Sequence, residues 1–173
     1  MPWLLLKTHH QMIQVNLSPS EEMHAARVAL TRTQECRQRG VIENIKDITY
    51  FQNIYNQAEA IGAEIAAAKA LGVNDFDPSL SKWKETADIG RNIEVRWSHW
   101  ESAHAICKPT DRDDDLILLV IGRSPTYRVV GYIPVAAARK PRFLHKSGYW
   151  WVSQINLRPV ETLARSIYAN ASI

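Results

Sequence analysis

Three residues near position 90 combine two acids and a cation in a pattern that suits metal and phosphate chemistry. Glu94 and Arg96 lie two residues apart, and alternation along a strand sends both side chains to one face. Asp88 comes just before this predicted strand, beside Gly90, a residue type that allows the chain to turn back. Two carboxylates from a turn and an adjacent strand can therefore meet at one point.

Such carboxylates can bind a divalent cation. Mg²⁺ takes oxygen ligands from one or two carboxylates and keeps positions for water and phosphate. A metal held in this way activates water and offsets charge on a scissile phosphate. Glu64, at the flank of a predicted helix, can supply a third carboxylate, while Arg96 steadies the phosphate. The alternative is a solvated or ion-paired face, because an acid and an arginine two apart on a strand are common cross-strand partners.

The helix that positions Glu64 is predicted at residues 50–71. Its apolar residues recur at helical spacing and form a stripe that faces the core: Ile54, Ala58, Ile61, Ile65 and Ala68. Glu64 lies at the flank of this stripe, and the many alanines make the helix slender. A short strand at 12–17 and a helix at 19–39 precede it. The outer face of that first helix carries a row of arginines, expected to be solvated, with phosphate contact as the alternative: Arg27, Arg32, Arg37 and Arg39.

After a polar connection at residues 73–87, the apolar period becomes two, which predicts strands. These strands are expected at 93–98, 104–108, 116–121 and 127–133, followed by a helical turn at 135–139 and a last strand at 149–153. Because residues 116–121 are apolar on both faces, they should form a central strand covered on both sides. The pattern predicts one α/β domain with a mixed central sheet flanked by helices.

The composition is that of an ordinary globular chain. Its 173 residues fit a single domain, and contents of 46% hydrophobic and 23% charged residues exclude a mainly disordered or fibrous chain. The net charge of +3 permits contact with nucleic acid without requiring it. Cys36 and Cys107 have no zinc-ligand spacing, so two reduced thiols are expected. With no signal-peptide pattern and no long apolar span, we expect a cytoplasmic location and no membrane partner.

Three other polar or aromatic segments each allow two interpretations. A basic cluster between the last strands is the best local candidate for contact with backbone phosphates, with a plain exposed loop as the alternative. It consists of Arg139, Lys140, Arg142, His145 and Lys146. The acidic run at 111–115 is expected to be a solvated turn. Residues 97–104 could stack rings on a bound strand, but a hairpin tip with half-buried tryptophans is the preferred interpretation.

Several segments occur in a recognisable order along the chain. They are residues 61–72, 87–90 with 93–96, the acidic run 111–115 before an apolar strand, 130–133 and 157–159. Together, from about residue 58 to 160, they resemble a family of phage and prophage proteins with a PD-(D/E)XK-type nuclease core. The resemblance implies a restriction-endonuclease-like core at 50–160, with residues 1–49 as an N-terminal extension and 161–173 as a tail.

The resemblance also implies roles for the acidic residues. In active members of that superfamily a helix acid, an Asp and a Glu bind metal, and a Lys follows the Glu by two. Glu64, Asp88 and Glu94 match the acidic positions, with Mg²⁺ as the implied cofactor and Mn²⁺ as a substitute. Arg96 stands in the lysine position; its guanidinium cannot act as a general base, although it can bind a phosphate through two hydrogen bonds. Lys108, on the next predicted strand, is a further candidate for the lysine's role and for nucleic-acid contact.

Two functional hypotheses follow. The first is a phage-encoded, Mg²⁺-dependent enzyme that hydrolyses phosphodiester bonds of DNA in the host cytoplasm. The second is a catalytically silent descendant that binds nucleic acid or a host protein through the same scaffold, as an accessory or inhibitory phage protein. Arg96 favours the second hypothesis, whereas the retained carboxylates favour the first.

Overall fold

The computed structural model describes residues 11–39, 48–80 and 86–163. In chain order the elements are β1 (Ile13–Asn16), α1 (Pro19–Gln38), α2 (Tyr50–Ala70), β2 (Ile93–Ser98), β3 (Ala105–Cys107), β4 (Leu116–Arg123), β5 (Thr126–Pro134), α3 (Val135–Ala138), β6 (Trp150–Val152) and α4 (Val160–Leu163). Helices and a mixed sheet are therefore combined as the sequence predicted. Residues 164–173 of the expected tail lie outside the described residues.

The main sheet has four strands in the order β1-β5-β4-β2. β5 pairs antiparallel with both β1 and β4, whereas β2 runs parallel to β4, so the sheet is mixed. A second, two-stranded antiparallel sheet joins β3 to β6. The expectation that residues 97–104 form a hairpin tip is wrong. In a hairpin β2 and β3 would pair with each other, but β3 pairs with β6.

Alternate residues of β4 face two separate cores. Those packed beneath α1 and α2 are Leu116, Leu118 and Val120. Those packed toward β3, β6 and α3 are Ile117, Leu119 and Ile121. All six are at most 1% exposed, which confirms β4 as a central strand covered on both sides.

Both long helices begin at capping boxes. Ser18 accepts the backbone N–H of Glu21 at the start of α1, and Thr49 accepts that of Gln52 at the start of α2. The predicted apolar stripe of α2 is confirmed, with its residues buried or packed on the core. At Gly62 an added Cβ would lie 2.4 Å from the Tyr127 hydroxyl oxygen. The glycine therefore lets α2 lie directly against β5.

Cys36 is half-buried on α1, Cys107 is buried at the end of β3, and the two do not form a disulfide with each other. None of the helices in the described ranges combines the length and the apolar character needed to cross a membrane.

Candidate functional site

The predicted site residues lie around the free edge of β2. This strand is the last in the main sheet, so its outer N–H groups have no strand partner. Asp88 accepts one of them, the Val95 N–H, through Oδ2 at 2.8 Å. A tight turn joins the two, in which Gly90 adopts a left-handed φ of 60°. The turn predicted from Gly90 thus brings the Asp88 carboxylate back onto the strand that carries Glu94.

Arg96 is held in place by two carboxylates. Its Nη1 lies 3.2 Å from Glu94 Oε2, and its Nη2 donates to Asp111 Oδ1 at 2.7 Å. Its Nε donates to the carbonyl of Ile106 at 3.1 Å. Glu94 and Arg96 therefore share one face of β2, as strand alternation predicted, and the guanidinium is fixed in orientation.

Glu64 is buried and paired with a cation from α1. Its side chain is 9% exposed, and its carboxylate oxygens accept from Arg32 Nη1 and Nη2 at 3.3 and 3.4 Å. Arg32 Nη2 also donates to the Pro78 carbonyl at 2.7 Å. The expectation that Arg32 belongs to a solvated outer row is wrong, because the slender, alanine-rich α2 lets α1 approach closely enough for Arg32 to reach Glu64.

The three predicted acids act on one another electrostatically. Burial is the main cause that raises the pKa of Glu64, Asp88 and Glu94 above their ordinary values. Burial and then the charge of Glu64 raise the pKa of Asp88 to about 6. After burial, Asp88 raises the pKa of Glu94, and Glu94 contributes to the raised pKa of Glu64. The structure therefore brings these acids into one region, with Arg32 and Arg96 as the opposing charges.

A cleft of about 760 Å³ lies between α1 and the edge of β2. Residues on the β2 side are Asp88, Glu94, Arg96, Lys108 and Asp111. Residues on the α1 side include His24, Arg27, Thr31, Arg32, Glu35 and Arg39. The size is typical of a ligand site, and the density of charged groups favours an ionic ligand over an apolar one.

Asp111 is a site residue that the sequence interpretation missed. The acidic run was expected to be solvated, but the Asp111 side chain is 7% exposed, and it accepts from Arg96 and from the Lys108 backbone N–H at 2.7 Å. At the end of the run, Asp115 is buried and lies 2.7 Å from Arg112. Asp residues often accept backbone N–H groups in turns, which was the available signal; the contact with Arg96 depends on the fold.

The Arg139 side chain forms an ion pair and hydrogen bonds within the protein. Its guanidinium pairs with Asp113 and donates to carbonyl oxygens of the preceding loop. These belong to Lys108 at 3.2 Å, Pro109 at 3.1 Å and Asp111 at 2.6 Å. Arg139 therefore fastens the loop that presents Lys108 to the cleft. The other predicted nucleic-acid contacts are exposed residues that do not line the cleft: Lys140, Arg142 and Lys146.

The carboxylates beside β2 offer oxygen atoms, the ligand type that hard divalent cations take. Among residues 11–39, 48–80 and 86–163, no group of three or more His, Cys, Asp or Glu side chains is arranged to hold a metal. Mg²⁺, however, often uses only one or two carboxylates and completes its coordination with water and phosphate oxygens. Asp88 and Glu94 both line the cleft; Glu94 is paired with Arg96, and Glu64 with Arg32.

The raised pKa of Asp88 should make stability depend on pH. Between its usual value of 3.8 and about 6, the folded state binds more protons than the unfolded state, so the contribution of Asp88 to stability falls as pH rises. Asp88→Asn keeps an acceptor for the Val95 N–H. We expect its free energy of unfolding, relative to that of wild type, to increase by about 1–2 kcal/mol as pH rises from about 5 to about 7. Urea denaturation at both pH values measures this; a constant difference would contradict it.

Comparisons with known proteins give no further assignment. The chain matches no protein-family model, no curated protein and no solved structure. The residues, distances and charges of the cleft are therefore the basis on which a function is assigned.

Proposed function

We propose that this chain is a phage-encoded, nuclease-like protein of the PD-(D/E)XK type that hydrolyses phosphodiester bonds of DNA with Mg²⁺ or Mn²⁺. The observation that carries the proposal is the crowding of Glu64, Asp88 and Glu94, whose charges raise one another's pKa beside a cleft. Perturbed carboxylates gathered in a cleft are typical of functional sites. A divalent cation is the ligand that would relieve their repulsion.

The elements that carry the three acids also support the proposal. Glu64 comes from a helix packed on the sheet, Asp88 from the turn before a strand, and Glu94 from the strand itself. The resemblance of residues 58–160 to phage and prophage proteins supports the same assignment. Asp88 and Glu94 are the residues that would hold the cation, which supplies a Lewis acid for the phosphate and lowers the pKa of bound water.

Cations around the cleft would position the DNA backbone. Arg96, fixed by Glu94 and Asp111, presents a guanidinium beside the acids that can donate to a phosphate oxygen. Lys108 and Arg27 are exposed on opposite sides of the cleft and can contact phosphates on either side of the bond to be cut. Asp111 acts through Arg96 as a positioning residue.

A second candidate is a catalytically silent descendant that binds nucleic acid or a host protein through the same scaffold. The ion pairs favour it, because Glu64 is already neutralised by Arg32 and Glu94 by Arg96. In addition, Arg96 has no proton-accepting form at neutral pH. The scaffold would then keep the cleft while the ion pairs replace the metal.

Plasmid nicking with purified full-length protein separates the two candidates. We expect cutting with Mg²⁺ or Mn²⁺ and none in EDTA, and Glu94→Gln should reduce the rate by about tenfold at the least. Glu161→Gln, an exposed acid on α4 outside the cleft, is the matched control and should cut like wild type. Equal cutting by Glu94→Gln and wild type, or no cutting by either, discards the nuclease proposal; DNA binding without cutting supports the silent candidate.

A further inference from the structure

The second sheet exposes a large aromatic ring on its outer face. The inner face of β3 and β6 is buried in the second core through Ala105, Cys107 and Val152. The outer face carries Ile106 and Trp151, which are directly paired across the two strands. Trp151 is 37% exposed. The indole is therefore partly exposed, between the half-buried Trp150 and the buried Val152.

Two histidines flank Trp151. The His145 ring stacks on the indole, with 4.2 Å between ring centroids and 20° between planes. The His104 ring lies 5.7 Å from the indole at 49°. His145 is held by its turn, since its Nδ1 lies 2.9 Å from Ser147 Oγ and its carbonyl accepts the Gly148 N–H at 2.9 Å. The three rings form a prearranged row, here named the ring row: His104, Trp151 and His145.

The chain segment that carries His145 and Trp151 has only positive formal charges. None of the 18 Asp and Glu residues lies between Leu116 and Val160, whereas seven of the 21 Lys and Arg residues do. Three of the seven lie exposed on the loop that leads into β6 and form no ion pair with a described residue: Lys140, Arg142 and Lys146. Lys146 follows His145 directly in the sequence.

We propose that the ring row, with Lys140, Arg142 and Lys146, binds single-stranded nucleic acid. Flat rings offer faces on which unpaired bases stack, and each stacked base contributes about 1–3 kcal/mol. The unpaired cations would neutralise the phosphates that follow those bases. A carbohydrate would use the rings but leave the charge without a role, and a duplex keeps its base faces covered. The surface is separate from the cleft and does not depend on hydrolysis there.

Fluorescence anisotropy with a labelled oligothymidylate tests this surface. The full chain is titrated in EDTA, where metal-dependent cutting cannot occur, so the outcome is independent of the nuclease proposal. We expect wild type to bind, and Trp151→Ala and His145→Ala each to weaken binding about tenfold, whereas Trp151→Phe keeps most of the affinity. Lys146→Glu should weaken binding and reduce its salt dependence. Phe51→Ala, an aromatic residue 83% exposed on α2, is the control and should bind like wild type.

Thermal melts of each variant establish that it is folded. The inference is overturned if wild type does not bind, or if folded Trp151→Ala binds as tightly as wild type. It is also overturned if a duplex of matched length binds more tightly than the single strand, or if an uncharged oligosaccharide occupies this face in its place. Loss of affinity in the ring variants, with Phe51→Ala unchanged, supports it.

Discussion

Replacing Arg32 with methionine should lower the free energy of unfolding at neutral pH by about 2–4 kcal/mol. The Glu64 side chain is 9% exposed and that of Arg32 is 25% exposed, so the variant leaves a nearly buried carboxylate without its cation. Breaking a fully buried pair costs about 3–5 kcal/mol, and the partial exposure of Arg32 reduces that figure. The lost hydrogen bond to the Pro78 carbonyl adds to the effect.

A double variant isolates the charge from the packing. Arg32→Met with Glu64→Gln removes both charges, and glutamine keeps the shape of the Glu64 side chain, so the double variant should recover most of the lost stability. In the single variant the pKa of Glu64 rises further, because Arg32 no longer opposes burial. Its deficit should therefore shrink as pH falls from about 7 toward 5. Urea denaturation that finds equal deficits in the single and double variants would show that Arg32 acts through Pro78 and packing alone.

This contact makes α1 part of the candidate site. α1 belongs to the segment that the resemblance treats as an N-terminal extension, yet it supplies one wall of the cleft and the cation that pairs with Glu64. Movement of α1 would therefore change both the access to the cleft and the charge balance of the acids. The interpretation of Glu64 cannot be separated from that of Arg32.

Local patterns predicted the elements well because the forces behind them are local. The strand expected at 93–98 is β2 with the same bounds, and the helix expected at 50–71 ends one residue earlier in α2. Period-two alternation and a change to helical spacing contain that information within a few residues. Of the two four-residue helices, α3 was expected at 135–139 and α4 was not predicted.

Pairings between distant elements could not be predicted in the same way. The sequence identified the acids that lie near one sheet, but which arginine each acid contacts depends on the topology of the fold. Arg96 meets Asp111, 15 residues away, and Arg32 meets Glu64, 32 residues away. The pairing of β3 with β6 is likewise a property of the whole fold. Sequence spacing therefore predicted which residues could do chemistry, and the fold decides which charges they meet.

Replacing Arg96 with lysine should raise the rate of plasmid cutting about tenfold to a hundredfold if the protein is a nuclease, since a general acid or base contributes about a hundredfold or more. A guanidinium stays protonated, whereas the pKa of a lysine falls when it is buried or lies beside a bound cation. Position 96 is 16% exposed and adjacent to Glu94, so the ammonium would lie where proton transfer is useful. Besides the pH dependence that Asp88 gives to both proteins, the lysine variant should show a second one, from the titration of the ammonium group.

The result discriminates between the two roles open to Arg96. Arg91→Lys, an exposed arginine before β2, is the matched control and should cut like wild type. A slower rate in Arg96→Lys would mean that the planar guanidinium, held by Asp111 and the Ile106 carbonyl, is needed to orient the phosphate. If neither wild type nor Arg96→Lys cuts, the ion pairs have replaced the metal and the cleft serves binding alone. A lysine that can transfer a proton cannot restore hydrolysis when the acids that would bind the cation are already neutralised by arginines.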